Sequence, residues 1–154
     1  MKQRSVTHAT FTIERTYPAS PARVFKAFAD KEAKARWFGG SSDWTQTRWD
    51  MDFRAGGREI NSGKPKQGPS YTMEAHYWDI IPNERIVYTY DMHMDDTRIS
   101  VSLTTVELRP EGTGTRLVLI EQGAFLDGHD TPAQREAGTR ELMDALGASL
   151  QQTA

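Results

Sequence analysis

The sequence has no cysteine. That absence excludes disulfides, thiolate metal sites and thiol nucleophiles. It has no long apolar run either. Its longest aliphatic stretch is residues 117–120 (LVLI), far short of the ~20 apolar residues a membrane-spanning helix needs. Residues 1–10 (MKQRSVTHAT) carry no apolar segment behind their basic start, so they do not read as a signal peptide. An excess of one charge is lacking as well. Nineteen basic against 21 acidic residues leave −2, too little positive charge for binding driven by phosphate neutralisation, so no nucleic-acid partner is expected. No G-x-S-x-G, P-loop, G-x-G-x-x-G or H-E-x-x-H motif occurs. What is present, 37% hydrophobic and 10% aromatic residues, excludes a disordered chain. The expectation is a single soluble, cytoplasmic domain of 154 residues with no membrane partner.

Residues 7–16 alternate with period two, Phe11 and Ile13 against Thr12 and Glu14, as a half-buried strand does. Ser20–Pro21 reads as a hydroxyl N-cap followed by proline at the first helical position. Val24, Phe25 and Phe28 give that short helix an apolar face. Asp30 is placed to cap a second short helix over residues 31–36, which runs into Trp37–Phe38. A Gly/Ser loop follows at residues 39–42.

Six strands come next, at residues 45–53, 58–62, 70–80, 85–92, 98–108 and 115–122. The breaker-rich residues 63–69 (GKPKQGP) between two of them read as a mobile loop. Tyr71, Met73, Ala75 and Tyr77 share one face, as do Ile86, Tyr88, Tyr90 and Met92. Within 98–108, Ile99, Val101 and Leu103 alternate against Ser100, Ser102 and Thr104. The apolar phase then slips to Val106 and Leu108, which predicts a bulge near Thr104–Thr105. Thr131–Pro132–Ala133–Gln134 is a capping box with proline at N1, opening a helix to about Leu150. Gly138, Leu142, Leu146 and Leu150 form its expected buried stripe.

Strands joined by short turns make an antiparallel meander with one apolar face, and the last helix has one matching stripe. The fold class expected is α+β: a curved seven-stranded antiparallel sheet wrapped around a long C-terminal helix, with two short helices between the first two strands.

Five segments, in order, resemble a known family: residues 19–28 (ASPARVFKAF), 36–38 (RWF), 52–58 (DFRAGGR), 82–89 (PNERIVYT) and 114–117 (GTRL). They are similar to the helix-grip (START-like, SRPBCC) superfamily, in the branch of homologues of the C-terminal domain of the activator of heat-shock-protein-90 ATPase. The resemblance covers about residues 10–150. It implies a sheet gripping the last helix, with a cavity between them for apolar small molecules. Many relatives carry a Gly-Trp pair early in that helix. Here Gly138 is followed by Thr139, which leaves space where a large ring would stand. The N-terminal domain that the eukaryotic co-chaperone uses is missing from this sequence, so ATPase activation is the lesser expectation.

The residues expected to border such a ligand cavity are Trp37, Phe38, Phe53, Met73, Tyr77, Tyr88, Tyr90, Val101, Leu119, Glu121, Arg135, Gly138 and Leu142. Trp37–Phe38, beside a Gly-rich loop, is placed to close an enclosed cavity. Three inward phenols need hydrogen-bond partners, which a pocket or its water supplies. Glu121 lies on the inward phase with Leu117 and Leu119, and Arg135 stands near the helix stripe. They read as a buried ion pair or as a polar anchor. Gly138 reads either as close packing against the sheet or as room for a ligand. His93, Asp95, Asp96, His129 and Asp130 lack a spacing that specifies a metal geometry and read as solvated turn residues, so no metal and no cofactor are expected.

The function expected first is binding of a hydrophobic or amphipathic small molecule. The alternatives are a cyclase- or dehydratase-like enzyme using Glu121 or a cavity tyrosine as acid or base, and a chaperone-interacting domain. A homodimer is left open.

Overall fold

The computed structural model describes residues 3–39 and 42–151. Gly40 and Ser41, part of the loop read after Phe38, lie outside them. The elements run β1 (Val6–Tyr17), α1 (Pro21–Ala29), α2 (Lys31–Ala35), β2 (Thr45–Met51), β3 (Arg58–Lys64), β4 (Tyr71–Ile81), β5 (Arg85–Met94), β6 (Thr97–Glu111), β7 (Gly114–Leu126) and α3 (Pro132–Gln151). The seven strands form one open, curved antiparallel sheet in the order β1-β7-β6-β5-β4-β3-β2. Only the β1–β7 contact joins strands that are not consecutive. It brings the chain's first strand beside its last and leaves α3 to lie across the inward face.

Local chemistry explains the element ends. Ser20 Oγ accepts from the Arg23 N–H at 3.2 Å, and Pro21 opens α1. Thr131 Oγ1 accepts from Gln134 N–H at 3.1 Å, half of the expected capping box. The other half is supplied by Asp130, whose carboxylate takes the Thr131 N–H at 2.8 Å. Asp30 makes no side-chain cap to α2, a correction to the expectation; that helix follows α1 so closely that Asp30 serves as α1's C-cap through its backbone N–H to Lys26.

The main core joins Phe11, Ile13 and Tyr17 of β1 to Val24 and Phe28 of α1, Val106 and Leu108 of β6, Leu117 and Leu119 of β7, and Met143, Leu146 and Leu150 of α3. The buried residues of α3 are Thr139, Met143, Leu146, Ser149 and Leu150. The expected stripe is therefore rotated in its first half: Gly138 is exposed and Leu142 only half-buried.

Three further expectations are corrected. Gly63 and Lys64 belong to β3, and the Trp44 ring occupies the space a Cβ on Gly63 would need. The β6 bulge lies at Ile99, where Met92 pairs with Ser100 and His93 with Arg98, and not near Thr104–Thr105. As a result Ser100, Ser102 and Thr104 point inward, while Val101 and Leu103 are exposed on the outer face at 44% and 37%. Val101 is therefore no part of the cavity wall.

Candidate functional site

A cavity of about 350 Å³ lies between α3's first half, the end of α2 and the inward faces of β3, β4, β5 and β7. That volume is in the range of small-molecule sites. Trp37, Phe38, Phe53, Met73, Tyr77, Tyr88, Tyr90, Leu119, Glu121, Arg135, Gly138 and Leu142 all border it. The strand registers explain why they meet. Tyr77 pairs with Tyr88, and Tyr88 with Thr104, which pairs with Glu121. Side chains directly opposite on one face of an antiparallel pair are near neighbours, so this row crosses the floor of the site.

The rings form a continuous ribbon. Phe53 meets Tyr77 edge-on at 4.9 Å between centroids, Tyr77 lies 5.8 Å from Tyr88, and Tyr88 lies 6.0 Å from Tyr90. Trp37 is a fixed wall rather than a closing flap: it is 5% exposed, packs edge-on to Phe28 and donates its indole N–H to the Ala27 carbonyl at 2.9 Å. Gly138 has nothing within 4 Å of where a Cβ would stand. Close packing is thus not the reason for that glycine. The cavity is only partly enclosed, which corrects the expected full enclosure, and Gly138 on its border is exposed.

Each end of the ribbon is polar. At one end Glu121, 3% exposed, accepts from Tyr90 Oη at 2.7 Å and from Thr104 Oγ1 at 2.9 Å. Arg135 stands 3.9 Å from Glu121, and Tyr90 bridges them by accepting from Arg135 at 3.0 Å. The guanidinium also donates to Ser100 at 2.8 Å and Asp130 at 2.9 Å, and lies over the rings of Tyr90 and Phe125. Burial pushes the Glu121 carboxyl above the ordinary value of 4.5, against the hydrogen bonds from Tyr90 and Thr104 and the charge of Arg135. Burial, with the charge of Glu121 behind it, also raises the phenols of Tyr88 and Tyr90.

At the other end sits a cluster the sequence reading missed. Glu59, fully buried, accepts from Lys34 Nζ at 2.7 Å, from Trp49 Nε1 at 2.8 Å and from the Tyr77 hydroxyl. Removing one partner of such a buried pair costs about 3–5 kcal/mol, because the other charge is left uncompensated. Burial, then the charge of Glu59, raises the Tyr77 phenol. The signal for Glu59 was its phase: Glu59, Asn61 and Gly63 alternate with Arg58, Ile60 and Ser62, and pairing with Ala75, Met73 and Tyr71 puts the first set inward. Among the described residues no group of His, Asp and Glu is arranged to hold a metal ion, and no helix is long and apolar enough to cross a membrane. Of the turn residues weighed as ligands, Asp130 pairs with Arg135, and Asp95 takes the Ser70 N–H at 3.0 Å.

The chain is similar to solved structures over nearly its whole length. A Rhizobium loti protein is 50% identical with a TM-score of 0.87, covering 94% of this chain and 99% of that one. An uncharacterised protein from Rhizobium leguminosarum is 43% identical with a TM-score of 0.93, covering 98% and 99%. An AHSA1-like protein from Aeromonas hydrophila, 22% identical with a TM-score of 0.68 over 94% and 93%, shares the fold. Among curated proteins none matches. The family model described as Activator of Hsp90 ATPase homolog 1-like protein matches residues 18–151. With that match and the helix-grip architecture in hand, the chain belongs to the Activator of Hsp90 ATPase homolog 1-like family, within the helix-grip superfamily.

Proposed function

We propose that the protein binds an amphipathic small molecule in the cavity between the sheet and the first half of α3. The observation that carries this reading is the open space facing Gly138 above a ribbon of aromatic rings. A helix interior without Cβ contacts gains nothing from glycine, which costs about 0.5–1 kcal/mol there relative to alanine. The absence of a bulky side chain at this position keeps the space open for a ligand. The raised phenols of Tyr77, Tyr88 and Tyr90 keep their protons and line the cavity as neutral hydrogen-bonding groups, as an amphipathic ligand needs. Activation of a chaperone ATPase, the role in the family's description, rests on that description and leaves the cavity unexplained.

The test is binding of an apolar fluorescent dye to the parent and to Gly138→Trp, with circular dichroism to check the fold. The folded variant is expected to lose the dye. If the variant does not fold, amide shift changes on adding the dye to the parent decide. Changes at Tyr88, Tyr90 and Gly138 support the reading, and changes confined to the outer face around Val101 and Leu103 defeat it.

A further inference from the structure

The charges on the cavity wall do not balance. Two cations border it, Lys34 and Arg135, against three carboxylates, Glu59, Glu121 and Asp130. Each cation already has a carboxylate in direct contact: Lys34 lies 2.7 Å from Glu59, and Arg135 lies 2.9 Å from Asp130. Glu121 is left with the hydroxyls of Tyr90 and Thr104 and with the shared guanidinium at 3.9 Å. Hydroxyl donors solvate a carboxylate but do not cancel its charge. Each Glu121 oxygen accepts one hydrogen bond and has a lone pair to spare. The Tyr88 and Tyr90 rings lie beside it, 6.0 Å apart between centroids; aromatic faces attract desolvated cations, and the Tyr90 ring already has Arg135 over it at 5.6 Å.

Resting on the reading of this cavity as a ligand site, we infer that its ligand is an amphiphilic organic cation, an aryl or alkyl ammonium. Its charged head lies at Glu121 beside Tyr88 and Tyr90, and its apolar body fills the space below Gly138 and Leu142. An anion meets no uncommitted cation: it must take Arg135 from Asp130 and add a second unbalanced negative charge. A neutral molecule leaves Glu121 without a counter-charge.

The inference also sets a pH response. The ionisable groups facing Glu121 are Tyr88 and Tyr90 from β5, Arg135 from α3, and Asp130 behind Arg135. An ammonium head favours the ionised carboxylate. Where Glu121 is protonated, binding releases that proton to solvent, so affinity falls as pH drops through the carboxyl's titration.

The experiment is calorimetry on the whole protein with three probes of one shape: naphthylmethylammonium, naphthylmethanol and naphthoate. The ammonium is expected to bind at least about tenfold more tightly than the alcohol, as for a buried close charge pair, and naphthoate most weakly. Glu121→Gln, which keeps the size, removes the charge and leaves one acceptor oxygen, is expected to abolish the preference for the ammonium over the alcohol. Should that variant fail to fold, the parent carries the test through proton release, measured in two buffers of unlike ionisation enthalpy below neutral pH. Equal affinity for ammonium and alcohol, with both lost in Gly138→Trp, overturns the cation inference and keeps the cavity. Tightest binding of naphthoate overturns it in favour of Arg135. No binding of any probe overturns the cavity reading and the inference with it.

Discussion

From Met143 onward, α3 rests on the sheet: Met143, Leu146 and Leu150 are buried in the core, and the Tyr17 hydroxyl donates to the Met143 carbonyl at 2.7 Å. Before Met143 the same helix stands over the cavity, tied to the sheet by Arg135, which reaches Ser100 and Tyr90, and by Arg140, which donates to the Thr12 carbonyl at 3.4 Å. Each half has a glycine, and they differ in kind. A Cβ on Gly147 would come within 2.9 Å of the Tyr17 ring, while one on Gly138 would meet nothing within 4 Å. One half is fixed by packing and the other by hydrogen bonds around a space. A single helix can therefore both close the core and roof a site.

The largest expected effect separates the halves directly. Leu146 is fully buried, so Leu146→Ala is expected to cost about 3–5 kcal/mol in transfer and cavity terms. Leu142 already borders empty space and is half-buried, so Leu142→Ala is expected to cost about 1 kcal/mol, near the centre of ordinary substitutions. Urea unfolding of both variants checks the difference; equal losses would mean that the first half packs as tightly as the second.

That contrast also explains what was legible in the sequence. The meander, the two early helices and α3 follow from period-two strands, turn residues and caps, all of which are local signals. The cavity's aromatic wall on β4 and β5 followed from the same alternation. The polar parts did not. In β6, apolar Val101 and Leu103 face out while Ser100, Ser102 and Thr104 face in. The rule that apolar means inward fails there because Arg135 and Glu121 need those hydroxyls or their neighbours as partners. The bulge at Ile99 sets that phase, and it is specified by pairing with β5, not by the sequence of β6 alone. Glu59 was missed for a related reason: its alternation with Arg58 and Ile60 reads as inward only once β3 is paired with β4, and its partners Lys34, Trp49 and Tyr77 are distant in sequence.

The second prediction probes the bridged half through pH. The folded state holds the Glu121 proton more tightly than the unfolded chain, since burial raises its pKa above 4.5. The native state therefore binds more protons than the unfolded state between the unfolded and folded values. Stability from this group is full below that window and is lost as pH rises through it, with a slope of at most about 1.4 kcal/mol per pH unit. Subtracting the Glu121→Gln unfolding curve from that of the parent isolates the term. A difference that does not change with pH above 4.5 would show that Arg135 and the two hydroxyls fully offset the burial.

Third, Gly147→Ala is expected to destabilise by about 1 kcal/mol. The new methyl group must push the buried Tyr17 ring, an overpacking cost of about 1–3 kcal/mol, against which alanine's better helix propensity recovers about 0.5–1 kcal/mol. Tyr17 cannot turn away freely, because its hydroxyl is held by the Met143 carbonyl. Thermal unfolding of Gly147→Ala beside a Tyr17→Phe, Gly147→Ala pair checks the cause: releasing the hydroxyl should relieve part of the strain.

The smallest effect has the opposite sign. Gly138→Ala adds a methyl group where nothing lies within 4 Å, so no overpacking opposes it. Gly138 is helical, with no strained φ that only glycine could adopt. The substitution reduces the freedom of the unfolded chain and is expected to stabilise by about 0.5–1 kcal/mol. One methyl group takes up little of a cavity of about 350 Å³, so dye binding should stay close to that of the parent. The two glycine-to-alanine variants on one helix thus move in opposite directions for one reason: Tyr17 of the sheet touches α3 at Gly147, and nothing touches it at Gly138. Loss of stability in Gly138→Ala would mean that a side chain or the sheet closes on this position in solution, and the roof of the cavity would then have to be drawn lower than the structure places it.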